Sequence, residues 1–203
     1  MTVTKPRGTR KLTLESWSKG EEHMLVVIKE PAREAGTATL RTPEGLWNYL
    51  PRADRMMRIP SGLLSDNWMG SHFTNDDLMR ETSYEEDYEA SVEAAKLDGD
   101  KVFKVTLTPK EDAPVVYSKI VFYVTREDWV PVKQQFYDDG EVVRTMDFSD
   151  VEKVDGKKLP MTMTLRPNDK EDEFTRMSYK KLEFGVDIDD KLFSRRGLRR
   201  RAK

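Results

Sequence analysis

The stretch that decides the fold is VPVKQQFYDDGEVVRTMDFS, residues 130–149. It holds two alternating runs separated by Asp139-Gly140, and Asp-Gly between such runs is among the strongest hairpin signals. The same dipeptide recurs as Asp98-Gly99 and Asp155-Gly156, each time between strand-like segments. Three hairpins in sequence predict an antiparallel meander.

Alternation of apolar and polar residues continues along the rest of the chain and stops at turn residues, which is typical of half-buried strands. The predicted strands are 11–18, 23–30, 37–42, 46–50, 54–59, 86–97, 101–108, 117–125, 130–138, 141–149, 158–166 and 173–184. We expect them to form one antiparallel sheet in a single domain over 1–203.

One segment, 84–97 (YEEDYEASVEAAKL), carries two conflicting signals. Its Glu, Ala and Lys content favours a helix by intrinsic propensity. Alternation of Tyr88, Ala90 and Val92 with charged residues favours a strand. Since Asp98-Gly99 needs a strand on each side to form a hairpin, we predict a strand.

Two stretches lack the alternation. Residues 61–80 contain Gly62 and Gly70 among scattered large apolar side chains, and they predict a helical insert of one or two short helices. Residues 187–194 predict a short terminal helix with Asp187 as its N-cap.

Composition excludes several classes of protein. The 203 residues include 35 Lys and Arg against 37 Asp and Glu, and a net charge of −2 disfavours a generally basic nucleic-acid binder. The absence of Cys excludes disulfides, zinc ribbons and thiol nucleophiles. No apolar run approaches the ~20 residues that span a bilayer, and no signal peptide precedes the first strand-like segment.

Charge is distributed unevenly. Residues 81–100 carry eight acids against Lys96, a net charge of −7, whereas the last thirteen residues carry seven bases and no acid. We interpret the first run as a solvated face and residues 195–203 as a solvated basic tail. The alternative for the tail is contact with anionic lipid.

The sequence lacks the motifs that common catalysts need. The glycine patterns of phosphate-binding loops, the nucleophile elbow and HExxH do not occur. We interpret His23 and His72 as ordinary structural residues, and Asp76-Asp77 and Asp189-Asp190 as first-turn acids of helices. We therefore predict neither a catalytic constellation, nor a metal site, nor a cofactor.

Apolar content points to a different kind of site. Ten Met residues are many for this length, and Met adapts to irregular apolar partners. A single curved sheet fills one of its faces only if helices or a ligand cover it, and few helices are predicted. The alternatives at this point are an apolar ligand cavity and a closed core.

The order of several short patterns resembles the outer-membrane lipoprotein-sorting protein family, related to the periplasmic carrier LolA. The patterns are WNYLPRADRMMRIP at Trp47–Pro60, then Met69–Phe73, Asp76–Leu78, Leu107–Lys110, Tyr117–Ile120, Trp129–Pro131, Phe136–Asp138 and Leu192–Ser194. They span nearly the whole chain, from about residue 1 to 199. Two features depart from the family: His72 follows Met-Gly-Ser where many relatives have an acid, and an N-terminal helix before the first strand is missing.

The resemblance implies a mainly β fold, in which a strongly curved antiparallel sheet forms a half-open barrel covered by short lid helices, here 61–80. It also implies a periplasmic location, so we expect a chain from which a signal peptide has been removed. The implied function is to shield the acyl chains of a lipid or lipoprotein between the inner and outer membranes. An inner-membrane transporter and an outer-membrane acceptor would be the partners, without nucleic acid and with at most peripheral membrane contact.

Combining the cavity with the resemblance, we predict a set of residues that line an acyl-chain site. They are Trp47, Tyr49, Met57, Leu63, Leu64, Trp68, Met69, Phe73, Leu78, Val105, Ile120, Phe122, Met161, Met163 and Met177. A second hypothesis is a non-catalytic envelope accessory or sensor protein that binds a protein partner through the same half-barrel. An enzyme on this scaffold is the third and least supported.

Overall fold

The computed structural model describes residues 1–80 and 84–202, and the fold is mainly β. The strands are β1 (Thr2–Lys5), β2 (Gly8–Lys11), β3 (Thr13–Lys19), β4 (His23–Glu30), β5 (Ala38–Thr42), β6 (Gly45–Leu50), β7 (Arg55–Arg58), β8 (Tyr88–Leu97), β9 (Asp100–Pro109), β10 (Lys119–Thr125), β11 (Pro131–Asp138), β12 (Glu141–Val154), β13 (Lys157–Pro167) and β14 (Phe174–Ser178). The α-helices are α1 (Asn75–Arg80), α2 (Tyr84–Asp87) and α3 (Arg195–Arg201), and 3₁₀ turns lie at Pro51–Ala53, Ser61–Leu63, Trp68–Gly70 and Asp190–Phe193. Glu81 of the acidic run and Lys203 of the tail lie outside the described residues.

These strands form two sheets. One has the order β3-β4-β5-β6-β7 and the other β2-β1-β14-β13-β12-β11-β10-β9-β8. The prediction of a curved antiparallel β fold with few short helices is confirmed, whereas the prediction of one continuous sheet is wrong. The break falls between β7 and β8, where Pro60 and the non-alternating insert end one meander before the next begins.

Contacts divide the chain into two compact units. The first comprises Met1–Thr2, Thr9–Thr82 and Gly185–Lys203, and the second comprises Val3–Gly8 and Ser83–Phe184. That both belong to one domain over 1–203 stays a prediction.

The three predicted hairpin turns are confirmed in the second unit. At Asp98-Gly99, Asp139-Gly140 and Asp155-Gly156, both residues of each turn have positive φ. This conformation matches the twist of the flanking strands, and Asp and Gly tolerate it. The first turn pairs Leu97 with Asp100, which confirms that β8 is a strand. Only the single turn of α2 is helical, as the intrinsic propensity of the segment favours. The remaining residues form β8 because they pair with β9.

Strand ends differ from the sequence prediction in several places. β14 ends at Ser178 instead of 184; Tyr179 N still donates to the Met161 carbonyl of β13, and the pairing stops there. β12 continues to Val154, five residues beyond the predicted end at 149. β1 and β2 were not predicted, because each is only four residues long.

The first unit has its core between the five-stranded sheet and the C-terminal segment. Leu25, Val27, Ala38, Leu40 and Tyr49 of the sheet cluster with Leu192, Phe193 and Leu198. Asp189, not the predicted Asp187, caps the turn Asp190–Phe193, and Ser194 caps α3. The prediction of a solvated tail over 195–203 is wrong for α3, because Leu198 is fully buried in this cluster.

Candidate functional site

One face of the nine-stranded sheet carries an apolar row that crosses seven neighbouring strands. Register pairing from β8 to β14 aligns Val92, Val105, Phe122, Gln134, Met146, Leu165 and Thr175. A second row runs parallel to the first across β12, β13 and β14, where it aligns Phe148, Met163 and Met177. We call the surface formed by these residues, together with Leu107, Ile120, Phe136 and Met161, the apolar face.

All six residues predicted from the second unit lie on the apolar face. Ile120 is 1% exposed and Met161 6%, so these two belong to the packed core. Val105, Phe122, Met163 and Met177 are only half-buried. The apolar face is therefore incompletely covered along both of these rows.

An aromatic cluster stands on this face beside Phe122. The ring of Tyr84 meets Phe122 edge-on at 5.8 Å between centroids and meets Tyr88 in the same way. Gln134 Nε2 donates a hydrogen bond to Tyr84 Oη at 3.3 Å, which gives a polar group within the row a partner. Sequence analysis missed Tyr84 because it assigned 84–97 to one strand, whereas α2 brings this ring over β10.

A buried arginine lies at one end of the apolar face. The Arg144 guanidinium stacks over Phe136 at 4.4 Å and over Tyr117 at 4.8 Å. Such stacking places a permanent positive charge against aromatic rings. The face thus combines apolar side chains with one cationic group, which sequence analysis did not single out.

The opposite face of the same sheet is charged. Lys104 Nζ lies 2.7 Å from Glu93, and Asp147 receives both Lys133 at 3.7 Å and Arg166 at 2.5 Å. The hydrogen bond that Lys104 donates to the Glu93 carboxylate raises the pKa of Lys104. Because successive side chains alternate between faces, most apolar residues of β8–β14 lie on the apolar face, whereas Val121, 1% exposed, is buried on the charged face.

The helical insert belongs to the first unit and is fixed to the five-stranded sheet. Trp68 is 1% exposed, and its Nε1 donates to Thr39 Oγ1 at 2.9 Å. The buried Arg41 donates through Nη1 to the Leu78 carbonyl at 2.7 Å. At α1, Thr74 and Asp77 cap each other's backbone amides, and Asp76 and Asp77 occupy the predicted first turn. Hydrogen bonds to Thr39 and Arg41 therefore hold the insert against the five-stranded sheet, and capping hydrogen bonds stabilise its helix α1.

The nine residues predicted from the first unit do not share one face. Trp47 and Tyr49 lie on the face packed by the C-terminal segment, and burial raises the pKa of the Tyr49 hydroxyl. Met57 pairs with Asn48, on the face where Thr39 holds Trp68. The remaining insert residues are exposed or half-buried: Leu63, Leu64, Met69, Phe73 and Leu78.

Trp47 lines a groove of about 450 Å³ in the first unit with Leu40, Met56 and Phe193. His23 stands at the same groove, with its ring 5.4 Å from that of Phe193. No group of three or more His, Cys, Asp or Glu suited to a metal occurs within residues 1–80 and 84–202. In that part of the chain, no helix has the length and apolar character needed to cross a membrane.

Comparison with known proteins gives one family match. A family model with the description "Uncharacterized protein" matches residues 20–200. No significant match exists among curated proteins.

Three solved structures are similar over nearly the whole chain. A DUF1329 family protein from Desulfovibrio piger has a TM-score of 0.86 at 22% identity, covering 97% of this chain and 88% of that chain. A domain from Vibrio parahaemolyticus, described as an outer membrane lipoprotein-sorting protein domain, has a TM-score of 0.82 at 26% identity. The match covers 98% of this chain and 88% of that chain. A LolA superfamily protein from Nitrosomonas europaea has a TM-score of 0.77 at 24% identity, covering 95% and 86%. The resemblance stated from the sequence is confirmed, and the fold is LolA-like.

Proposed function

Because this chain belongs to the family whose model matches residues 20–200 and has a LolA-like fold, we propose that it is a non-catalytic carrier of acyl chains. Its cargo would be a lipid or lipoprotein that travels through the periplasm between the inner and outer membranes. A donor in the inner membrane and an acceptor in the outer membrane would complete that route.

The observation that carries the proposal is the incomplete cover of the apolar face. Val105, Phe122, Met163 and Met177 remain half-buried although they lie in register on one side of the sheet. Apolar area left open to water is a place where a hydrophobic ligand gains free energy. Each methylene buried contributes about 0.8 kcal/mol, so a long acyl chain supplies on the order of 10 kcal/mol before ordering costs.

The chemistry of the face suits acyl chains of varied shape. Met146, Met161, Met163 and Met177 bring flexible, polarisable side chains to three adjacent strands. Such side chains adapt to apolar partners without a fixed geometry. The similar Vibrio parahaemolyticus domain, whose description names lipoprotein sorting, supports the same class of cargo.

A matched pair of variants tests the proposal. Phe122→Asp places a charge on the apolar face, whereas Tyr123→Asp makes a comparable change at the adjacent half-buried residue on the opposite face. Displacement of a fluorescent fatty acid by longer-chain lipids measures binding, and mass spectrometry of an organic extract detects co-purified lipid. We expect Phe122→Asp to weaken probe binding at least ~10-fold, because an unpaired charge opposes burial of the chain. Tyr123→Asp should retain binding.

Failure of the folded wild type to bind the probe or to carry lipid would contradict the carrier proposal. Equal loss of binding in both variants would also contradict it, since the effect would then not belong to the apolar face. Displacement of the probe by an apolar peptide but not by lipids would favour the accessory or sensor hypothesis instead.

A further inference from the structure

We propose that an arginine surface on the first unit docks the protein onto anionic phospholipid membranes. We define this arginine surface as the exposed arginines of α3 together with Arg52 of the β6–β7 turn: Arg52, Arg195, Arg196, Arg199, Arg200 and Arg201. The inference goes beyond the proposed function, because it concerns charged groups of the first unit and not the apolar face of the second.

Close backbone packing holds α3 in place. A Cβ added to Gly197 would stand 2.2 Å from the Lys191 carbonyl oxygen, and one added to Gly36 would stand 2.2 Å from that of Ala202. Between these contacts, Leu198 is fully buried in the core of the first unit. The arginines of α3 therefore lie on a helix that is packed against the first unit, and not on a solvated tail.

The arginines on α3 form a continuous exposed stripe. Arg196, Arg199 and Arg200 stand three and four residues apart, a spacing that places them side by side on a helix. Arg199 pairs with Asp54 at 3.1 Å yet stays 52% exposed. Arg201 lies over the Trp17 ring at 4.9 Å, which brings an aromatic side chain to the same surface.

Of the acidic residues near α3, Asp54 pairs with Arg199, whereas those of the C-terminal segment itself precede the helix. Asp187, Asp189 and Asp190 precede α3, and Asp190 is held by Lys19 beside the β3–β4 turn. The C-terminal end of α3 instead approaches Gly36, next to the turn that contains Arg52. Positive charge therefore predominates along α3 although the whole chain has a net charge of −2.

This arrangement is unfavourable unless an anion is nearby. Like charges four residues apart, as at Arg196 and Arg200, destabilise a helix. Arg195 and Arg196 also stand in the first turn, where positive charge opposes the helix dipole and where α3 has no acid. An anionic partner relieves both effects.

A phospholipid surface fits these features best. One guanidinium group binds two oxygens of a phosphate at once. A layer of phospholipid headgroups presents many phosphates to several arginines. Trp is favoured at the membrane interface, which suits Trp17 beneath Arg201. The net negative charge of the rest of the chain opposes a long nucleic-acid contact.

The test uses vesicles of phosphatidylglycerol and phosphatidylcholine with the full chain. We expect co-sedimentation with phosphatidylglycerol vesicles at low salt, and an affinity at least ~10-fold lower for R196Q/R200Q. The control K170Q/K180Q removes the same charge from exposed lysines of the second unit and should bind as the wild type does. R196K/R200K, which keeps the charge, should retain most of the binding.

Four results would overturn the proposal. They are no binding of the wild type to phosphatidylglycerol vesicles, equal binding to phosphatidylcholine alone, equal loss in K170Q/K180Q, or equally tight binding to a DNA duplex at the same salt. Circular dichroism confirms that R196Q/R200Q is folded. Phe122→Asp separates the two proposals, because it should lose acyl-chain binding and keep vesicle binding.

Discussion

The two sheets of this protein use apolar residues in different ways. In the five-stranded sheet, five consecutive residues of β4, Met24 to Ile28, are all buried, so both faces of that strand are covered. In the nine-stranded sheet, β9 carries Phe103, Val105 and Leu107 on one face and mainly Lys and Thr on the other, and Phe103 and Val105 stay half-buried. The apolar side chains of the first sheet are therefore used for packing, whereas part of those on the second sheet remain half-buried.

The cause of the difference lies in what covers each sheet. In the first unit, the C-terminal segment packs on one face, and the insert is hydrogen-bonded to the other through Trp68 and Thr39. In the second unit, one face is covered by charged side chains, and the single turn of α2 brings only Tyr84 over Phe122 on the other. Substitutions should therefore affect stability in the first sheet and binding in the second.

The largest expected effect comes from Trp68→Ala. It removes a fully buried indole and leaves Thr39 without a donor, so we expect a loss of about 3–5 kcal/mol in the free energy of unfolding. Phe122→Ala should lower it by only about 1–2 kcal/mol, because this ring is half-buried. Denaturant titration of both variants measures the difference. Equal losses would break the comparison between the sheets.

A smaller effect is expected at Gly197, a glycine within the C-terminal segment. Gly197→Ala forces a methyl group against the Lys191 and Leu192 carbonyls, at 2.2 and 2.4 Å, so α3 must shift and stability should fall by about 2 kcal/mol. Gly62→Ala is the matched control, since nothing lies within 4 Å of its Cβ and its φ is not positive. Calorimetry should show a lower Tm for Gly197→Ala and an unchanged or slightly higher one for Gly62→Ala. An unchanged Tm of Gly197→Ala would mean that the close packing of α3 does not stabilise the first unit.

Local signals predicted the fold well where they were strong. Asp139-Gly140 and the other Asp-Gly turns identified the hairpins because the dipeptide itself favours positive φ at both positions. The separation into two sheets was not predictable in this way, because strand alternation is the same within one sheet or two. The end of β14 at Ser178 was not predictable either, because apolar residues recur beyond it, at Tyr179, Leu182 and Phe184.

The candidate site was predictable only in part. Alternation predicted that Val105, Phe122 and Met163 lie on one face of the sheet. It could do so because every second side chain of a strand points to the same face. The same rule could not show that Trp47 lines a groove with Phe193 while Trp68 lies on the other face. Both are large apolar residues near the insert, and which face each contacts depends on tertiary packing.

The smallest expected effect concerns an exposed ion pair that holds the C-terminal segment of the first unit. Lys19 Nζ donates to Asp190 Oδ1 at 2.6 Å, and this hydrogen bond lowers the pKa of Asp190 from its ordinary value of 3.8. A carboxylate whose pKa is lowered on folding stabilises the protein at neutral pH, and this contribution is lost as the pH falls through the folded-state pKa. Because the pair is exposed, Asp190→Asn should lower the Tm by no more than about 2 °C at about pH 7. The difference from the wild type should shrink as the pH is lowered through the folded-state pKa of Asp190 and the carboxylate becomes protonated. Thermal unfolding over a series of pH values measures it, and a difference that stays constant down to the lowest pH would show that Asp190 acts through the turn Asp190–Phe193 and not through its charge.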